Sequence, residues 1–119
     1  MKLAELKDWL TEQGFQHYLN HLGSRDNRAN WYSCRKTKID CRECETNDGK
    51  RMQLVVNPHS YIIHGDAHES VEINVTGEAG GIWYQLNAYS LSVDDVHTRL
   101  DEIERNLIAA WNALVPEVK

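Results

Sequence analysis

Residues 71–115 read VEINVTGEAGGIWYQLNAYSLSVDDVHTRLDEIERNLIAAWNALV, and two periodicities follow one another in them. In Val71-Glu72-Ile73-Asn74-Val75-Thr76 apolar and polar side chains alternate, the period-two pattern of a strand with one buried face. Gly77 to Gly81 reads as the turn. Ile82, Tyr84, Leu86 and Ala88 continue the buried row on a returning strand, which directs Trp83, Gln85, Asn87 and Tyr89 to the opposite face. Ser92 followed by Asp95 is a helix-start signal, with Leu91 placed to pack on Val96 as a hydrophobic staple. Val93, Val96, Leu100, Ile103, Leu107, Ala110 and Leu114 then recur at spacings of three and four, widened by Ile108 and Trp111, until Pro116 ends the helix. A stripe of this width suits packing on a sheet; a helical dimer seam is the competing reading, and three heptads are short for one.

Upstream, Leu3, Leu6 and Leu10 with Trp9 form the apolar side of an amphipathic first helix, opposite Lys2, Glu5, Lys7, Asp8 and Glu12. Gly14 stops it, and Phe15, Tyr18, Leu19 and Leu22 suggest a second short helix ended by Gly23. Ser24 to Asn30 is a polar loop. Strands are expected at Trp31 to Lys36, Lys38 to Thr46 and Arg51 to Val56, with an Asp48-Gly49 hairpin turn between the last two. Asn57-Pro58 closes that strand, and Tyr61-Ile62-Ile63 forms another short one before a polar hairpin loop, His64-Gly65-Asp66-Ala67-His68. The assembled expectation is a single α+β domain over residues 1–119, a two-layer sandwich. Its antiparallel sheet of four to six strands carries an N-terminal helical segment and a long C-terminal helix.

Composition sets limits on function. With 119 residues, 41% hydrophobic and 26% charged, the chain can bury a core. No apolar run reaches the roughly 20 residues a bilayer requires, and Met1-Lys2-Leu3-Ala4-Glu5 does not begin a secretory leader, so a cytoplasmic protein is expected. Three cysteines, Cys34, Cys41 and Cys44, cannot all pair within the chain, and reduced thiols are the simpler expectation. The net charge of −5 is uneven: residues 1–51 hold 10 Lys/Arg against 8 Asp/Glu, and residues 52–119 hold 3 against 10. Such asymmetry points either to a partner-facing surface or to an acidic helix beside a mildly basic sheet edge.

Four constellations carry candidate chemistry. Trp83 and Tyr89, two aromatics on the face opposite the buried row, are candidates for protein contact or self-association; cross-strand packing is the bland alternative. Arg35, Lys36, Lys38 and Arg42 with Trp31 form a basic segment with a stacking platform, the pattern of nucleic-acid binding within residues 25–51. Asp26, Asp40, Glu43, Glu45 and Asp48 interleave with it and weaken its field. Cys41 and Cys44 have the gap by which paired thiolates grip zinc, with Cys34 and His59, or His17 and His21 on one helix face, to complete four ligands. Two small buried cysteines in a strand read equally well. His64, Asp66 and His68 would share one face of an extended strand as a two-His, one-carboxylate site, whereas a turn at Gly65 would scatter them. No Gly-x-Ser-x-Gly, P-loop or Gly-x-Gly-x-x-Gly is present, so nothing argues for an enzyme, and no cofactor other than zinc is suggested.

The segments EINVTGEAGGIWYQLNAYSL, residues 72–91, and DEIERNLIAAWNAL, residues 101–114, resemble small uncharacterised proteins found in bacterial prophages. The resemblance rests on fold-forming residues. It implies a non-enzymatic accessory or interaction protein of bacterial or phage origin and brings no site residues with it.

Overall fold

The computed structural model describes residues 1–19, 31–36 and 52–116. Helix α1 covers Leu3–Glu12, and strands β1 (Gln16–Leu19), β2 (Trp31–Lys36), β3 (Gln53–Ile63), β4 (Asp66–Ala79) and β5 (Ile82–Leu91) precede helix α2 (Val93–Leu114). The strands form one antiparallel sheet in the order β1-β2-β3-β4-β5, a meander with no crossover. Both helices pack on one face of it. The fold is therefore the expected α+β sandwich with two layers, five strands being paired among the described residues.

The buried layer follows the alternation of the strands. Leu54, Val56 and Pro58 of β3 stand in register with Val75, Ile73 and Val71 of β4, and all six are buried beneath the helices. Leu6 and Leu10 of α1 and Val96, Leu100, Ile103, Leu107, Ile108 and Trp111 of α2 close the core from above. Gly77 is where the helix comes nearest: a Cβ there would lie 3.2 Å from Trp111 Cη2 and 3.4 Å from Met52 Cα. Trp111 in turn meets Tyr84 edge-to-face at 6.2 Å between centroids. Trp9 docks α1 on α2 through a T-shaped contact with His97 at 4.9 Å.

The helix start on α2 is as expected. Ser92 Oγ accepts from Asp95 N at 3.0 Å, and Asp95 Oδ2 accepts from Ser92 N at 3.2 Å. The hydrogen bond from Ser92 N holds the Asp95 carboxyl below its usual range.

Several expectations are corrected. The residues after Gly14 form β1 and not a second helix. Gly14 at φ +90 ends α1, Phe15 N returns to Leu10 O, and Gln16–Leu19 then pair with Cys34–Trp31 of β2. A run of four residues takes its state from its neighbour strand more than from its own spacing. Asn57-Pro58 does not close β3, which runs on to Ile63. Pro58 lies past Val56, the last residue of β3 paired with β2 among the described residues, so its missing N–H interrupts none of the described β2–β3 pairs. The β3–β4 turn is only His64-Gly65, and the β4–β5 turn only Gly80-Gly81. All four residues have positive φ, as two-residue hairpin turns of the mirror-image type require. The expected strand at Lys38 to Thr46 and the Asp48-Gly49 turn lie outside the described residues.

Two apolar residues expected in the core are outside it. Ile82 is 57% and Leu114 69% exposed. α2 is kinked at Arg99, where the backbone leaves helical geometry (φ −126, ψ 15), so the repeat does not run as one straight stripe, and Leu114 is the last helical residue before the extended Val115. Trp111 and Val115 take over the inward face of α2 at that end. Ile82 opens β5, the last strand of the sheet among the described residues.

Trp111→Ala, which removes the side chain that spans β4 and β5, is expected to lower stability by about 3–5 kcal/mol, read from urea unfolding.

Candidate interaction surface

Because α1 and α2 share one face, the other face of the sheet carries no helix among the described residues. Its rows follow from the register. Gln85 of β5 stands opposite Thr76 of β4, which is opposite Gln53 of β3; Asn87 stands opposite Asn74, which is opposite Val55. Trp83 is paired with Glu78. Asn74, at the centre of this face, is only 5% exposed, whereas Trp83 and Tyr89 on the outermost strand are 62% and 65% exposed.

Along β5 the outward side chains are tied to one another. Gln85 Nε2 donates to Asn87 Oδ1 and Asn87 Nδ2 donates to Tyr89 Oη, each at 2.8 Å. This ladder orients the Tyr89 ring without covering it. Trp83 and Tyr89 are six residues apart, about 20 Å at strand rise, so they mark two ends of one row. Beyond Tyr89 the pairing shifts: Val71 is opposite Leu91 and Ile73 opposite Ala88, which puts an extra residue on β5, and Ser90 adopts φ 59. That bulge returns Leu91 to the inner side just before α2 begins.

The other candidates lie only in part within the described residues. Trp31, Arg35 and Lys36 lie on β2, in register with β1 or β3, while Lys38 and Arg42 lie outside the described residues. Cys34 is half-buried and opposite Val55, and His59 is opposite Ser70, four residues further along β3. That places their backbones about 14 Å apart, beyond the span of two ligands to one zinc ion. Cys41 and Cys44 lie outside the described residues. His17 is on a strand and does not share a helix face with His21, which is also outside them. His64 is in the turn, whereas Asp66 and His68 are exposed on β4, so the three do not form one row. No group of three or more His, Cys, Asp or Glu placed to hold a metal occurs among the described residues, and no helix of theirs is long and apolar enough to cross a membrane.

One polar cluster had no sequence signal. His17 Nε2 bonds Thr11 Oγ1 and His17 Nδ1 bonds Ser33 Oγ, joining α1, β1 and β2. Thr11 Oγ1 donates its own hydrogen to Lys7 O at 3.1 Å. Both ring nitrogens of His17 are thus engaged by hydroxyl groups. Ser33 is fully buried, so its hydroxyl serves this bond and is not presented to a substrate. A shallow groove of about 120 Å³ between α1 and α2, lined by Trp9, Gln13, His97 and Arg99, is smaller than the roughly 300 Å³ of the smallest usual ligand sites.

Comparison with protein-family models, with curated proteins and with solved structures returns no match.

Burial, and after it the Lys7 charge, lower the pKa of His17 below its ordinary 6.5, with Asp8 and the Lys7 backbone opposing. The unfolded chain therefore binds the proton more tightly. The His17 contribution to stability is present above pH 6.5 and is lost as pH falls from there through the folded-state value. An NMR titration of the His17 ring is expected to show a midpoint below 6.5, and His17→Gln to flatten the acid-side loss of stability.

Proposed function

We propose that this chain is a non-enzymatic interaction protein, an accessory of bacterial or phage origin working in the cytoplasm, and that its contact surface is β5. The observation that carries the reading is the exposure of Trp83 and Tyr89 on the outermost strand, with Tyr89 oriented by the Gln85–Asn87–Tyr89 ladder. Aromatic side chains contribute most where they can be desolvated by a partner, and Tyr and Trp are enriched at such contacts. Isolated exposed apolar residues are ordinary; two large exposed rings in one row of a strand without charged residues give that strand two aromatic contact points about 20 Å apart. The prophage resemblance of residues 72–91 and 101–114 supports the origin, and the absence of an enzyme motif in the sequence agrees with a binding role.

Trp83→Ala with Tyr89→Ala is expected to keep the far-UV circular dichroism spectrum of the native chain, because both rings lie outside the core. A photo-cross-linking residue in place of Trp83 or of Tyr89, in the full chain inside a bacterial host, is expected to give a discrete adduct. The same residue in place of Glu102, on the exposed side of α2, is expected to give none. Unfolding of the double variant, or adducts that do not depend on position, would contradict the reading.

A further inference from the structure

The two edges of the sheet are unlike. Among the described residues β1 spans Gln16–Leu19, whereas β5 presents ten residues, Ile82–Leu91, without a charged residue or a proline. Soluble proteins ordinarily blunt a long edge with charge, proline or a covering segment, because its free N–H and C=O groups recruit another strand. Here the bulge at Ser90 interrupts only the end, and Ile82 to Ala88 stay in regular register with β4. Among the described residues the inner row of β5 is also less covered than that of β4: Val71, Ile73 and Val75 are fully buried, but Tyr84, Leu86, Ala88 and Leu91 are half-buried. Of the six large apolar side chains exposed among the described residues, Ile82, Trp83, Tyr89 and Leu114 are on β5 or at the end of α2 that runs back beside it.

We propose that the partner of β5 is a second copy of this chain, pairing antiparallel about a two-fold axis so that two sheets continue as one of ten strands; this rests on β5 being the contact surface. Helix spacing supports it. α2 lies over β4 and β5 about equally, so its axis is set back roughly half a strand spacing from β5. Joining two copies at about 4.8 Å between the β5 strands sets the two α2 axes about 10 Å apart, a normal distance for packed helices. Leu114, at the end of α2, is 69% exposed and is available to the second helix.

Register supports it as well. A two-fold through Leu86 sets Trp83 opposite Tyr89 of the second copy, twice, and Gln85 opposite Asn87 on the same face. Tyr84 meets Ala88 on the inner face, and no like charges are opposed. Cross-strand aromatic pairs of this kind are favourable. An edge about 33 Å long and two layers, about 20 Å, deep buries on the order of 650 Å² per copy, close to the roughly 800 Å² of a standard stable interface. The contact is isologous and closes on itself, which uses up the edge.

Sedimentation equilibrium of the purified full chain, diluted through the micromolar range, is expected to show twice the 13.8 kDa chain mass. Trp83→Lys with Tyr89→Lys opposes like charges at both aromatic pairs and is expected to give 13.8 kDa. Trp83→Lys with Tyr89→Glu removes the same rings but opposes unlike charges, and is expected to recover the dimer. A single-chain mass for the native protein at every concentration, or equal masses for the two double variants, overturns the proposal. A monomeric native chain that still cross-links from position 83 to a different polypeptide sinks only the choice of partner and leaves the proposed function standing.

Discussion

The structure depends on the burial of the inner row of β4. Val71, Ile73 and Val75 are each fully enclosed, and Gly77 extends the row to a position where only hydrogen fits comfortably beneath Trp111. β4 is hydrogen-bonded on both sides and covered by α2, so it is the element to which the others are referred. At about 25 cal/mol per Å² of apolar surface removed from water, a row of this kind is where the folding free energy concentrates. The α2 start at Ser92, immediately after Leu91, then returns the chain over the strand it has just left.

That arrangement has a cost at the margin. Among the described residues one helix lies over two strands, no element follows β5 in the sheet, and no helix covers the far face. At the end of α2, Trp111 and Val115 are buried while Leu114 is exposed. Exposure at β5 is thus a consequence of how the core is closed, and it places apolar groups, an unpaired strand edge and two aromatic rings in one location.

Much of this was readable in the sequence, and what was not has physical causes. The β4–β5 hairpin and α2 could be read because period two and period three-to-four repeat long enough to be distinct, and because Ser92 and Asp95 cap the helix locally. β1 could not: Phe15, Tyr18 and Leu19 fit a helical stripe, and only pairing with Trp31–Cys34 makes the segment a strand. Pro58 misled because proline ends a strand only where its neighbour needs the N–H. The outward direction of Trp83 and Tyr89 followed from alternation alone, but whether those rings meet solvent depends on the layer order, which no local pattern encodes. The Thr11–His17–Ser33 cluster brings together three elements and had no linear signature. Cys34 and His59 share neighbouring strands yet stand apart, because register, not proximity in sequence, sets their distance.

The central claim is that the outer edge of β5 is a pairing surface. Residue-resolved amide hydrogen exchange of the native chain tests it directly, since alternate amides of an edge strand point away from their only neighbour. The account requires that both sets of β5 amides be protected at high protein concentration and that the outward set lose protection on dilution. Outward amides that exchange freely at every concentration, while those bonded to β4 remain protected, would contradict it.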